Sequence, residues 1–389
     1  MESYRSDCKK GDKNKANNYR PVSLTCILCK KLENLITTQL QNYMEENKFY
    51  CSAQHGFRKH RSCVTQLIEV MNTFTDLLDN NKDIDVLYLD FSKAFDTVPH
   101  KRLIQKLNSY GITGNLSKWI ESFLSNRTQR VRVNSTYSNY TKVRSGIPQG
   151  SILGPLLFVI FINDLPEGLS SHCKIFADDT KLYGSPEDHD SIQEDLLKLM
   201  SWSDLWQLKF NIEKCSVLHM GKNNPMKNYY MDINSKTTLS KISNEKDIGV
   251  TFDKNLYFNS HINNIITKAN RMNGIIQRSF SFLNKSTFLK LYKALIRPVL
   301  EYANVIWHPL YKGQLQQIEN VQRRATKMVP SLKNKTYQQR LIELPSIKFR
   351  QLRSDLIQTY KIIYNKDIHF NEFFTFDSLK KTRNNKMRL

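Results

Sequence analysis

The stretch "HCKIFADDTKLYGS", residues 172–185, sets two adjacent carboxylates inside an otherwise apolar run. Ile175, Phe176 and Ala177 read as a buried strand, and Leu182 and Tyr183 resume it, so Asp178 and Asp179 fall at the turn of a hairpin. Asp is a poor strand former, and burying an unpaired carboxylate is costly. A second run, "IDVLYLDF" (84–91), is nearly continuous in apolar residues, reads as a buried strand and ends in Asp90. Taken singly, each acid has an ordinary explanation: Asp179 suits a turn, and Asp90 can cap the segment that follows it. Three such acids at strand ends point instead to a shared negative pocket. Two divalent cations about 3.5–4 Å apart, Mg²⁺ or alternatively Mn²⁺, need carboxylates of this kind on a rigid sheet for phosphoryl transfer.

The charge distribution supports a polyanionic partner. The net charge is +22. Residues 1–255 hold 34 Lys and Arg against 29 Asp and Glu, whereas residues 256–389 hold 24 against 7. The basic excess therefore belongs to the C-terminal third. Nucleic acid ranks above an anionic membrane as its partner. No segment reaches the roughly 18–20 apolar residues that span a bilayer; "LLFVIFI" (156–162) is too short and runs into Asn163 and Asp164. The polar N-terminus is not a signal peptide. The seven cysteines are scattered, which predicts reduced thiols without disulfide partners and an intracellular protein of nucleus and cytoplasm. Cys26 and Cys29 have CxxC spacing without a second pair, and read as a reduced core pair rather than a metal site.

Periodicity predicts helices over 22–44, 64–80, 116–124 and 191–211, and strands over 84–91, 129–134, 214–221 and 247–256. Residues 1–20 read as a loop. A Gly/Pro loop at 145–154 leads into an apolar helix. From about 259 onward the signal is helical, with an N-cap expected at Ser286 and a kink or end at Pro298. Leu315, Ile318, Val321, Ala325 and Met328 share a face from which Arg323, Arg324 and Lys327 point away. The fold class is α+β.

In this order, "YLDFSKAFDTVPH", "SGIPQGSILGPLLFVIFINDL" and "FADDTKLY" resemble the core blocks of reverse transcriptases, in particular those of jockey-type non-LTR retrotransposons. "NYRPVSL" (18–24) and "QHGFRKHRSC" (54–63) are similar to the two fingers blocks. "WQLKFNIEKCSVLHMG" is similar to the block after the catalytic turn, "IGVTFDKNLYFNSHI" to the primer grip and "LYKALIRPVLEYANVIWHP" to the thumb region. The resemblance covers roughly residues 18–330 and implies a right-hand polymerase, with fingers over 1–83, palm over 84–256 and a basic helical thumb over 257–389.

The resemblance also implies roles. Asp90, Asp178 and Asp179 would hold two Mg²⁺ ions, with the carbonyl of Phe91 as a further ligand. Phe95 would sit under the sugar and exclude a ribose 2′-hydroxyl. Arg20 would grip the triphosphate, since guanidinium forks onto phosphate. Gln149 would touch the template strand, and Gly150 would let backbone approach the nascent pair. Lys214 would protonate the leaving pyrophosphate. Arg58 and Arg61 would line the template path, and Arg323, Arg324 and Lys327 would bind nucleic acid. Asp96 reads as a structural acceptor, Asp164 as a loop contact, and His100 and His219 as packing or surface residues.

The implied partners are an RNA template, a DNA primer or target and dNTPs. Only about 17 residues precede the first block, and neither a zinc knuckle nor a ribonuclease H constellation follows the thumb. An endonuclease is therefore not expected in this chain. A retained element fragment that binds RNA without polymerising is the competing reading; the intact Asp90, Asp178, Asp179, Phe95 and Gln149 argue against it. An RNA-directed RNA polymerase shares the metal logic, but Phe95 argues against that too.

Overall fold

A computed structural model of the chain describes residues 3–8, 19–130, 132–133, 136–232, 237–364 and 373. In chain order it runs β1 (Ser3–Cys8), β2 (Tyr19–Leu24), α1 (Ile27–Glu46), α2 (Cys63–Asp79), β3 (Ile84–Leu89), α3 (Ala94–Thr97), α4 (His100–Ser109) and α5 (Gly114–Leu124). Four two-residue strands follow, β4 (Thr128–Gln129), β5 (Arg132–Val133), β6 (Thr136–Tyr137) and β7 (Thr141–Lys142). Then come α6 (Gly154–Phe161), β8 (His172–Phe176), β9 (Asp179–Gly184), α7 (His189–Trp206), β10 (Ser216–Met220), β11 (Tyr230–Asp232), β12 (Thr237–Thr238), β13 (Ser240–Ile242), β14 (Asn244–Asp247) and β15 (Val250–Asp253). The remainder is helical: α8 (Asn259–Ser279), α9 (Lys285–Leu291), α10 (Arg297–Glu301), α11 (Lys312–Thr326), α12 (Pro330–Lys333), α13 (Tyr337–Arg340) and α14 (Ile347–Ile363). Among these residues no helix is long and apolar enough to cross a membrane.

The chain forms two compact units. The first comprises Met1–Cys63, Asp83–His219 and Asn224–Lys241. It holds a five-stranded sheet of order β13-β10-β3-β9-β8. Strand β3 is apolar and buried because it lies in the middle of this sheet. Helix α6 is buried throughout except for Pro155, which explains why its sequence lacks a polar face.

One charge breaks the apolar pattern of β3. Asp85 is fully buried and accepts hydrogen bonds from His219 Nδ1 (2.5 Å), Asn224 Nδ2 (2.9 Å) and Tyr229 Oη (2.7 Å). Burial raises the Asp85 pKa, but these bonds outweigh it and hold the group below its ordinary 3.8. The folded-state pKa is depressed, so the stabilisation is complete above 3.8 and is lost as pH falls below it. Asp85→Asn should cost about 3 kcal/mol near neutral pH, with the deficit shrinking in acid. Urea unfolding at several pH values measures this; an equal deficit at every pH would contradict it.

The second unit comprises Val64–Lys82, Met220–Asn223 and Ile242–Leu389. It contains α2, the β14–β15 hairpin and the C-terminal helices. Buried Gln322 ties its helices together, accepting from Tyr292 Oη (2.8 Å) and donating to Tyr337 Oη (3.2 Å) and Pro345 O (3.1 Å).

Several expectations from the sequence are corrected. Residues 3–8 form a strand paired with β2, not a loop. Cys26 and Cys29 are exposed, not a core pair; Cys26 is the N-cap of α1, and its Sγ accepts from Cys29 N (3.3 Å). Helix α1 buries Glu33, Thr37, Leu40 and Met44, and leaves Leu28, Leu32 and Leu35 exposed. The strand expected over 247–256 is a hairpin broken at Ile248 and Gly249, where φ is +43° and +92°, as a mirror-image two-residue turn requires. The N-cap of α9 is Asn284, not Ser286. The chain continues past Ile296 through a π-turn (Tyr292–Ile296) into α10, so the helical backbone does not end at Pro298.

Candidate active site

The register of the sheet brings the acids together. Strands β3 and β9 are antiparallel, with Leu89 opposite Thr180. Continuing that register by one residue sets Asp90 opposite Asp179. Directly opposite residues project from the same face, with Cα atoms about 4.5–5.5 Å apart. Strands β8 and β9 close with Phe176 opposite Asp179, so Ala177 and Asp178 form the turn itself. Asp90 and Asp178 are half-buried and Asp179 is exposed. Like charges placed directly across a sheet are destabilising, so this end of the sheet favours a cation.

A protein cation already answers part of that field. Lys214 Nζ donates to Asp90 Oδ2 at 2.5 Å. The backbone around Asp90 is pinned by the segment that precedes Lys214: Asn211 N donates to Asp90 O (2.7 Å), and Ser92 N to Lys209 O (2.8 Å). The buried ring of Phe91 stacks on Phe210, centroids 4.3 Å apart. The structure thus brings Lys214, Phe91 and Asp90 together.

The acidic turn is held from the other edge of the hairpin. Gln54 forms a parallel bridge with Ile175. Its buried Oε1 accepts from Gly56 N (2.7 Å) and Ala177 N (3.1 Å). Ala177 has φ +55°, a left-handed conformation that costs a non-glycine residue about 1–2 kcal/mol. Gly56 lies so close that a Cβ there would be 2.5 Å from Ala177 N. Arg58 is drawn inward. It donates to both oxygens of Glu45 (3.2 and 3.0 Å) and to the carbonyls of Cys51 (2.9 Å) and Gln54 (3.2 Å), and it covers the Tyr50 ring. Its guanidinium braces the 50–56 segment. Arg61 is half-buried, with Nη1 3.5 Å from His55 Nε2.

The Gly/Pro loop is laced to the residues after Asp90. Gln149 Nε2 donates to Asp96 Oδ1 (2.7 Å), Ser145 Oγ to Asp96 O (3.0 Å) and Ile147 N to Phe95 O (2.7 Å). Gly146 O accepts from Arg127 Nη2 (2.6 Å) and bonds His100 Nε2 (2.8 Å). Burial pushes the His100 pKa down. Gly150 has φ +98°, which favours glycine. The half-buried ring of Phe95 stacks on Phe158, centroids 4.6 Å apart. Buried Glu33 reaches across from α1 and accepts from Ile152 N (2.7 Å) and Leu153 N (3.1 Å), just ahead of α6. Glu33, Gln54 and Arg127 were not singled out in the sequence. A charged residue between the apolar positions of α1 was the available signal for Glu33.

Arg20 lies on β2 opposite Asp7, and its side chain falls outside the described residues. In the second unit, Arg323, Arg324 and Lys327 are exposed, with Arg323 over the Tyr337 ring. Asp164 takes Lys106 and Trp202 Nε1 (3.1 Å), a structural contact. Burial pushes the Lys106 pKa down to about 8, against the pull of Asp164.

The donor set fits Mg²⁺, which prefers hard carboxylate oxygens. Among the described residues no three His, Cys, Asp or Glu side chains are already gathered as a cation cage. The backbone supplies the juxtaposition.

An acidic hairpin turn thus lies beside a strand-terminal aspartate, and a Gly/Pro loop is laced to the residues that follow that aspartate. Residues 8–283 match the reverse transcriptase (RNA-dependent DNA polymerase) family, and the chain belongs to it. The right-hand polymerase fold expected from the sequence is the fold of this family, and the observed α+β architecture agrees with it. The chain is 28% identical over 333 residues to the RNA-directed DNA polymerase from mobile element jockey of Drosophila melanogaster, covering 80% of this chain and 36% of that protein. It is 29% identical over 324 residues to the jockey enzyme of Drosophila funebris, covering 79% and 35%. The chain therefore spans about a third of the length of these relatives. Among solved structures, telomerase from Candida albicans in complex with a fragment of telomeric RNA matches with 10% identity, a TM-score of 0.48, and coverage of 85% of this chain and 64% of that one.

Proposed function

We propose that the chain is an RNA-directed DNA polymerase of the jockey-like, non-LTR retrotransposon kind. It would extend a DNA primer on an RNA template from dNTPs, within the nucleus and cytoplasm. The observation that carries this reading is the register that sets Asp90 opposite Asp179, next to Asp178 in the turn.

Asp90, Asp178 and Asp179 would hold two Mg²⁺ ions, or Mn²⁺ in their place, and the Phe91 carbonyl would add a ligand. When bound, the ions supply a more acidic attacking hydroxyl and charge neutralisation at the phosphates. Lys214, which donates to Asp90, would give a proton to the leaving pyrophosphate. Phe95, backed by Phe158, would block a ribose 2′-hydroxyl. Gln149 is oriented by Asp96, which leaves its carbonyl oxygen for the template strand. Gly150 gives the loop its sharp turn, Arg20 would fork onto the triphosphate, and Arg61 would line the template path.

Arg323, Arg324 and Lys327 would grip the phosphates of the template–primer. Reversing all three charges should weaken its binding and reduce the slope of log K against log salt by about 2–3. Fluorescence anisotropy over a salt series measures this, and an unchanged slope would mean that these side chains face away from nucleic acid. The function itself is tested by incubating the purified protein with Mg²⁺, a primed RNA template and dNTPs. Extension supports the reading. RNA binding without extension, in Mg²⁺ and in Mn²⁺, would favour the retained RNA-binding fragment.

A further inference from the structure

Cys26 and Cys29 stand at the start of α1 with their sulfurs 3.1 Å apart. Both side chains are exposed, so neither fills a core. Capping does not call for a thiol either. Cys26 is the N-cap, with its Sγ 3.3 Å from Cys29 N, but sulfur is a weak acceptor, and Ser, Thr, Asp or Asn does this task better. A structural zinc site takes roughly four ligands, and among the described residues no third His, Cys, Asp or Glu joins the pair.

What the pair does have is the arrangement for thiol–disulfide exchange. Bonded sulfurs lie about 2 Å apart, so closure asks for an approach of about 1 Å across one helical turn. Hydrogen bonds to the Cys29 amide and to its thiol lower the Cys26 pKa from its ordinary value, and the positive end of α1 acts in the same direction. The thiolate is the reactive form. Three other thiols are driven the opposite way: burial raises Cys51, pushes Cys215 up to about 11 and pushes Cys173 up to about 12. The pair also lies at a joint. On its β2 side Ser23 N donates to Gln149 O (2.7 Å), and on its α1 side Glu33 accepts from Ile152 N and Leu153 N. Strand β2 and helix α1 thus both hold the Gly/Pro loop, and the cysteines sit where one passes into the other.

We propose that Cys26 and Cys29 are a redox-active dithiol, closed reversibly by a small-molecule disulfide into a bridge that stiffens the passage from β2 into α1. The Cys26 thiolate attacks one sulfur of the small disulfide, forming a mixed disulfide and releasing one thiol. Cys29, losing its proton, then attacks Cys26 Sγ, the protein bridge forms and the second thiol leaves. The protein gives up two electrons and two protons, and the small disulfide takes up both. Excess thiol runs the sequence backwards. Transient bridges of this kind are the form that reducing compartments allow. The chemistry does not depend on polymerase activity.

The full-length chain, first reduced, is equilibrated in mixtures of glutathione and glutathione disulfide, quenched in acid, alkylated and weighed as peptides. The peptide carrying Cys26 and Cys29 should become lighter by two hydrogens at ratios that leave Cys51, Cys173 and Cys215 alkylated as thiols, and excess dithiothreitol should reopen it. Cys29→Ser removes the second thiol, so Cys26 should stay trapped as the mixed disulfide with glutathione. Cys26→Ser keeps a capping oxygen, and its Cys29 should take up glutathione at least about tenfold more slowly than Cys26 does in the other variant. Backbone amide exchange over residues 27–33 should slow in the closed chain and not in either variant. A pair that stays open, oxidation of Cys51, Cys173 and Cys215 at the same ratio, equal uptake by the two variants, or unchanged exchange over 27–33 on closure would overturn the proposal.

Discussion

Replacing Asp178 with Ala is expected to lower primer extension at least about a thousandfold, equivalent to about 4 kcal/mol of transition-state stabilisation. Asp178 is one of two residues in the turn between β8 and β9, and Asp90 lies across from the turn's neighbour Asp179. On the proposed reading, removing one carboxylate takes away a metal ligand. The residue is half-buried at a turn, so its loss should leave the fold intact. RNA binding should stay within about twofold, because affinity for the backbone comes from many Lys and Arg contacts. Single-turnover extension and anisotropy on the same samples measure the two quantities. Equal extension by wild type and variant would remove Asp178 from the chemistry.

The second large effect is expected from a residue with no functional group. Gly56→Ala should slow extension about a hundredfold while leaving RNA affinity near wild type. The added Cβ would meet Ala177 N at 2.5 Å and Ala177 Cα at 3.2 Å. Both are backbone atoms of the acidic turn, so neither can rotate away. The turn is already held in a left-handed conformation by Gln54. Overpacking of this kind costs about 1–3 kcal/mol and moves the backbone. A displacement of about 1 Å at reacting groups costs about 10²-fold in rate. A variant that extends like wild type would show that the 53–56 segment does not set the turn.

Much of the site was legible because its residues violate local pattern. Asp178 and Asp179 interrupt an apolar hairpin, and Asp90 ends an apolar strand, so each stands out within a few residues of sequence. The supports did not stand out. Asp85 disappears inside "IDVLYLDF", and its partners His219 and Tyr229 lie 134 and 144 residues away. His219 therefore read as packing or surface, although it is the buried partner of a carboxylate. Glu33 and Gln54 act through distant backbone amides, which leave no periodic trace. In α1 the spacing announced a helix but not its buried face, because Glu33 and Thr37 are buried while Leu28 and Leu35 are exposed. Residues 247–256 read as one strand because the turn falls on Ile248, a strand former held at positive φ by Tyr302.

The central claim is that Asp90 and the 178–179 turn hold the same divalent ions. Fe²⁺ in place of Mg²⁺, with ascorbate and hydrogen peroxide, generates radicals that cut only the main chain near the bound ion. The wild-type chain with template–primer should be cut both near residue 90 and near residues 178–179. Both cuts should fade with added Mg²⁺ and be lost in Asp90→Ala. Cutting at one position without the other, or at neither while extension proceeds, would contradict a shared metal centre.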